Sequence, residues 1–495
     1  MVMKKLFAAV VGIVVAVVVA LSVNAYTKGI SMEESWKGAK TYVLEKIESV
    51  RPQVEEAKKP ETEVSVMPVD TDTSLSYDER MKKGDYFIEK GFLTFAANEY
   101  VKAANLEPNR AEPYQKLLKA NFDLGDYDKA KRNAEIILKL DPNNFETKLT
   151  LAQVYIKQSD FTSAQGVLDE LATAAAGKAV DPRVDYYRGL IQITLGKNDE
   201  GKKFLRQAKA ASEDDFLDAK IDKILAGYNE FEFAKAAEQL YLSELLARGL
   251  NEVGEYEMAI YKLKDVLRKR GDLRDAWILL GFAYLNLEKY YFAQTAFERA
   301  YDLDSEWPAT QYFLGITHAE LQHYEDAILF LNYALENGFE PKVVLYKKLA
   351  DLYLDQQKYT ESVEAYKKVL ELNKEDVNSF VRPVWIYLDF LNNPDEALKL
   401  AQMAEASFPN NALTYNLLGW SELYKKDYAQ AEKDLKKAIE LNPNLAAAYF
   451  NLGKLYEAKK NTDEAMKVYQ KAYDLDQNGS IGNLAAKRYN ELTAQ

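Results

Sequence analysis

Residues 274–307 read RDAWILLGFAYLNLEKYYFAQTAFERAYDLDSEW, and residues 446–479 read AAAYFNLGKLYEAKKNTDEAMKVYQKAYDLDQNG. The two stretches match position by position: Trp277, Leu280, Gly281, Tyr284, Ala293, Phe297 and Ala300 in one, Tyr449, Leu452, Gly453, Tyr456, Ala465, Tyr469 and Ala472 in the other. A period of about 34 residues with these residue types is the mark of a helix pair that buries its apolar side against copies of itself. The physical logic is local. Gly281 and Gly453 stand where the first helix meets the second, and a larger β-carbon there would push the helices apart. Ala293 and Ala465 do the same from the second helix, and the rings fill the gap to the next pair.

Outward from these units the pattern continues in both directions. Gly84, Phe87, Ala96, Tyr100, Ala103 and Pro108 are followed by Tyr114, Leu117, Gly125, Tyr127, Ala130 and Pro142, then by Leu151, Ala152, Tyr155, Phe161, Ala164 and Leu168. Pro108 and Pro142 stop second helices, because proline disfavours helix in the residue before it. A fourth unit is degraded. Gly189, Gly196 and Ala208 hold the register, but Gly201 stands where Ala is usual, and 170–182 carries an extension. Residues 77–213 therefore form a first repeat block, 214–239 an irregular helical connector where the array should bend or break, and 240–480 a second block. Strict spacing returns at Ala247, Tyr256 and Ala259. One unit conflicts with the pattern: Pro383 falls inside a first helix and Trp385 takes the small position, so a kinked or displaced helix is expected. Residues 481–495 read as a capping helix with Ala485, Lys487, Arg488, Asn490 and Glu491 on its polar side.

Composition narrows the function. The chain is 495 residues long with a net charge of −13, which excludes the basic footprint that phosphate binding needs, so no nucleic-acid partner is expected. It holds no cysteine, which removes disulfides, thiolate metal sites and a cysteine nucleophile. At the N-terminus Lys4 and Lys5 precede an apolar run from Leu6 to Val23. As a helix this run is roughly 27 Å long, just enough for a bilayer core. Residues 1–25 read as a transmembrane anchor or as a signal peptide cleaved near Ala25, and both readings send the repeats across a membrane. Residues 26–76 read as a linker, first helical and charged, then a Pro/Thr/Ser-rich tether at 60–76.

Over roughly 77–495 the chain resembles tetratricopeptide-repeat proteins. That resemblance implies an all-α fold: a right-handed superhelical solenoid of helix pairs with a capping helix, whose concave groove is lined by first helices and binds proteins or peptides. An apolar N-terminal segment followed by repeats also looks like the membrane-attached envelope assembly factors of bacteria. The family's clamp for C-terminal carboxylates is not matched, since Lys347 is followed by Asp351 and Asn416 by Trp420.

First-helix positions expected to face the groove of the second block are Ile278, Phe282, Leu285, Tyr312, Ile316, Ile386, Trp420, Leu423 and Phe450, an apolar stripe suited to a hydrophobic peptide. The matching positions of the first block, Asp85, Gln115, Lys119 and Gln153, are polar. Asp474, Asp476, Asn478 and Gly479 open like a calcium loop but lack the closing acid, Ala485 standing in its place, so no calcium is expected. His318 and His323 fall on different helix faces with no third ligand in view, so no metal is expected there either. No phosphate loop, serine elbow or catalytic constellation stands out. The expectation is a non-catalytic protein-binding scaffold of the cell envelope without cofactor. The alternative is a chaperone-like or regulatory subunit that recruits an envelope enzyme or secretion machinery.

Overall fold

The computed structural model describes residues 75–175, 179–234, 238–373, 375–477 and 479–493. The expected anchor at 1–25, nearly all of the 26–76 linker, and Asn478 lie outside these residues. No described helix is long and apolar enough to cross a membrane. Among the described residues there are 24 α-helices, one short 3-10 helix and no strand. They divide into two compact units, one ending at Lys289 and one starting at Tyr290.

In the first unit the pairs are α1 (Tyr77–Glu89) with α2 (Leu93–Leu106), α3 (Ala111–Asp123) with α4 (Tyr127–Leu140), α5 (Phe145–Lys157) with α6 (Phe161–Ala174), and α7 (Pro182–Thr194) with α8 (Asn198–Ala211). Then come α9 (Asp215–Phe233), α10 (Gln239–Glu252), α11 (Tyr256–Lys269) and α12 (Arg274–Asn286). Side-chain caps start many of these helices: Ser76 forms a full capping box with Glu79, and Asp126, Asn144 and Asp160 each accept an orphan backbone N–H.

Several close crossings are set by a glycine against a large side chain. A β-carbon on Gly84 would come within 2.4 Å of the fully buried Tyr100 ring. Gly201 is not a sign of repeat erosion: a β-carbon there would lie 2.5 Å from Ile193 and 2.9 Å from the Gly189 carbonyl oxygen. The two glycines let α7 and α8 approach more closely than an alanine would allow.

The array does not break in the region of 214–239. Helix α9 packs between α8 and α10, and the extra element redirects the chain so that α11 returns to lie against α5 and α7. Repeats of a simple solenoid touch only their neighbours; here a long-range contact is added. Lys157 of α5 pairs with Glu257 at 2.9 Å and Glu255 at 3.5 Å. Phe161 meets Tyr261 edge-on at 5.1 Å. The buried Lys262 Nζ donates to the Ile193 carbonyl oxygen at 2.8 Å and to Asn198 Oδ1 at 3.2 Å.

The second unit holds α13 (Tyr290–Leu303), α14 (Pro308–Glu320), α15 (Tyr324–Glu336), α16 (Lys342–Asp355), α17 (Tyr359–Leu372) and a 3-10 turn (Val377–Phe380). It continues with α18 (Val381–Asp389), α19 (Pro394–Ser407), α20 (Ala412–Lys425), α21 (Tyr428–Leu441), α22 (Ala446–Ala458), α23 (Thr462–Leu475) and α24 (Ser480–Thr493). Pro383 does not kink a helix. The 3-10 turn delays the start of α18 to Val381, so the proline sits in a first turn, where a missing N–H costs nothing. Helix α24 packs on α23 and α22 as a cap. Ala485 is on its buried side, against Ala465, Tyr469 and Ala472, rather than on the polar side expected.

Candidate protein-binding face

The apolar stripe is not an exposed strip. Ile278, Phe282 and Leu285 in the first unit, and Tyr312, Ile316, Ile386 and Leu423 in the second, are all buried, while Trp420 and Phe450 are half-buried. Their neighbours explain why. Phe282 meets Tyr256 at 6.3 Å, Tyr312 stacks on Phe339 at 4.4 Å, Leu423 joins Leu435, Leu452 and Leu455, and Phe450 packs on Tyr469 at 5.6 Å. First-helix positions that look toward the groove also hold one repeat to the next. Among the polar positions of the first block, Asp85 accepts from Tyr100 at 2.7 Å and Lys116 at 2.8 Å, Gln153 donates to Tyr187 at 3.0 Å, and Lys119 pairs with Asp123 at 3.4 Å. Gln115 is exposed.

What first helices of the second unit do present is a ladder of charged and aromatic groups. Asp351 of α16 faces Arg382 of α18 at 3.4 Å and accepts from the Tyr366 hydroxyl. Asp389, at the end of α18, accepts from Trp385 Nε1 at 2.9 Å and from the Tyr424 hydroxyl of α20. Lys454 of α22 donates to the Tyr424 oxygen at 3.1 Å and lies over the same ring at 4.8 Å. Glu457 accepts from Tyr469 and from Arg488 of α24. Beside the ladder, Phe390 stacks on Tyr359 at 4.4 Å and meets Trp385 edge-on at 5.0 Å, with 40% of Phe390 exposed. Burial lowers the Lys454 pKa, and burial followed by the hydrogen bond to Asp389 raises that of Tyr424.

This ladder escaped the sequence reading, although a signal existed. Its members pair across 30, 31 or 35 residues, about one repeat apart. A second missed feature is the exposed aromatic patch at the α1–α2 turn, where Tyr86, Phe87, Phe92 and Phe95 meet at 5.6–6.1 Å. The histidines also differ from expectation. His318, His323 and a third group, Asp326, each place a ligand atom within 4.8 Å of the others.

Behind the ladder, α20 and α21 enclose a carboxyl pair. Glu422 and Asp434 are both buried, and Gln430 donates to Asp434 at 2.9 Å. Burial, and then Asp434, push the Glu422 pKa up from 4.5 to about 8. The folded state thus keeps a proton that the unfolded chain releases between these values. Stability from this group is greatest below pH 4.5 and falls as the pH rises to about 8. Glu422→Gln, which cannot ionise, is expected to melt higher than the parent above pH 8 and close to it below pH 4.5. Equal differences at both ends, followed by circular dichroism, would refute the assignment.

Family models described as tetratricopeptide repeat match residues 121–191, 275–306, 345–376, 386–446 and 416–480. The TPR repeat-containing protein MJ1428 of Methanocaldococcus jannaschii is 20% identical over 440 residues, 80% of this chain and 75% of that protein. Superkiller complex protein 3 of Mus musculus is 26% identical over 258 residues, which are 49% of this chain and 16% of the mouse protein. Among solved structures, yeast Tom70 is 17% identical, with 85% of this chain and 96% of that chain covered and a TM-score of 0.32. A tetratricopeptide repeat protein from Parabacteroides merdae is 19% identical over 52% of this chain and 100% of that chain, with a TM-score of 0.36. The matched residues lie in helices α3–α7, α12, α13 and α16–α24. The matched residues carry tetratricopeptide repeats, and the described residues form an all-helical repeat solenoid, a class that typically mediates protein–protein interaction.

Proposed function

We propose that this protein is a non-catalytic scaffold that binds a protein or peptide on the first-helix face of α16, α18, α20 and α22. The observation that carries this reading is the half-open aromatic group of Tyr359, Trp385 and Phe390 beside the Asp389–Tyr424–Lys454 chain. Rings with one polar edge, fixed by neighbours before any partner arrives, lose little freedom on binding. Arg382, whose side chain is 55% exposed, adds a charge that a partner's carboxylate can reach.

Trp385→Ala is expected to reduce partner capture at least about tenfold, the usual scale of a central aromatic anchor. The melting point should change little, because Trp385 is only half-buried. Capture unchanged in Trp385→Ala and in Lys454→Glu would refute the face. The same reading places the scaffold at a membrane of the cell envelope, held by residues 6–23 through the 26–76 linker or released after signal cleavage. Support comes from the Leu6–Val23 run behind Lys4 and Lys5. Alkaline extraction of membranes separates the two forms, and recovery of the intact chain only among soluble cytoplasmic proteins would exclude both.

A further inference from the structure

We propose that His318, His323 and Asp326 form a binding site for a divalent late transition-metal cation, zinc foremost. The site lies within one repeat of the second unit. His318 occupies the last turn of α14, His323 is the N-cap of α15, and Asp326 lies in the first turn of α15. The tight turn between the helices, with Gln322 in the left-handed region at φ 62°, folds the two histidines toward each other. The His323 backbone N–H donates to the His318 carbonyl oxygen at 2.8 Å, and the ring centroids are 5.8 Å apart.

Three observations point to a cation rather than to a simple turn. One ligand atom from each residue falls within a 4.8 Å set. Tetrahedral zinc with bonds of 2.0–2.1 Å asks for ligand separations of about 3.3 Å. His323 is exposed and Asp326 half-exposed, so side-chain rotation alone can close the difference. The second observation is His318 itself: it is 93% buried (7% exposed), and its Nδ1 has no hydrogen-bond partner. A buried ring nitrogen left unsatisfied is costly unless something fills the need. Third, His318 is held flat against Phe330, with centroids 5.3 Å apart and planes 9° apart, which fixes one ligand before binding.

The donor set selects the ion class. Two imidazoles and one carboxylate suit zinc, cobalt or nickel better than calcium or magnesium, which prefer all-oxygen shells. Three protein ligands leave one position open to water or to a ligand group from a partner, as in sites that are not purely structural. Bound metal would also tie the end of α14 to the start of α15.

The test uses the full chain, freed of metal by chelator and titrated with zinc chloride by calorimetry, with cobalt absorption as a second readout. The expected result is saturable binding of one zinc per chain and a cobalt spectrum typical of low coordination number. Affinity should fall about tenfold or more in His323→Ala and in Asp326→Asn, neither of which removes a core side chain. Circular dichroism of both variants checks that they remain folded. Absence of saturable binding, or binding that neither substitution weakens, would overturn the proposal; the latter would mean adventitious surface carboxylates only.

Discussion

Tyr469→Ala is expected to cost the second unit about 3–5 kcal/mol, the range for removing a large buried ring. Tyr469 is fully buried and joins α22, α23 and α24 in one cluster with Ala465, Ala472 and Ala485. Its ring fills the space over Gly453, where an added β-carbon would come within 2.5 Å of it. Its hydroxyl donates to Glu457, which also holds Arg488 of the capping helix. The substitution therefore empties a cavity and loosens the cap together. Tyr469→Phe separates the two effects: it keeps the ring and should lose only about 1 kcal/mol. Urea unfolding of the three proteins measures this. A loss below about 1 kcal/mol for the alanine variant would show that the last repeats do not depend on this ring.

The second large effect concerns the return of α11. Lys157 lies between Glu255 and Glu257, and its side chain is 19% exposed against 10% for each acid. Burial alone would lower the Lys157 pKa, but the two carboxylates outweigh it and hold it above its ordinary value. Lys157→Met leaves two enclosed acids without their cation, and breaking a buried pair from one side costs about 3–5 kcal/mol. The loss should appear as a lower melting point and faster amide exchange in α11. Adding Glu257→Gln to Lys157→Met should recover part of it, because one stranded charge is removed. Exchange in α11 that stays unchanged would mean the helix is held by its sequence neighbours alone.

Much of the fold was legible because each repeat solves its packing locally. Gly84 with Tyr100, and Gly453 with Tyr469, meet inside one helix pair, so their spacing alone announces the contact. The chain's departures were not legible because each depends on a partner outside the period. The return of α11 needs α9, which has no repeat phase, and Lys262 reaches Ile193 across 69 residues. Pro383 left two readings open, a kinked or a displaced helix, and the helix start is displaced to Val381. Most of the positions expected to face the groove are buried between repeats. Ile316, Ile386 and Leu423 satisfy both a groove pattern and an inter-repeat pattern, and an apolar side chain goes where it loses most water. The ladder of Asp389, Tyr424 and Lys454 was passed over because polar residues on a helix are usually plain solvent-facing ones. Asp326 escaped because a histidine pair five apart seemed to diverge, and only the turn geometry brings the three groups together.

The most direct test of the central claim is photo-cross-linking in cells from position 382, on the exposed side of the ladder, with mass spectrometry of the adducts. A scaffold that binds through this face predicts one or two discrete protein adducts that disappear when Trp385→Ala is added. A diffuse spread of unrelated adducts, or discrete ones indifferent to Trp385→Ala, would contradict it.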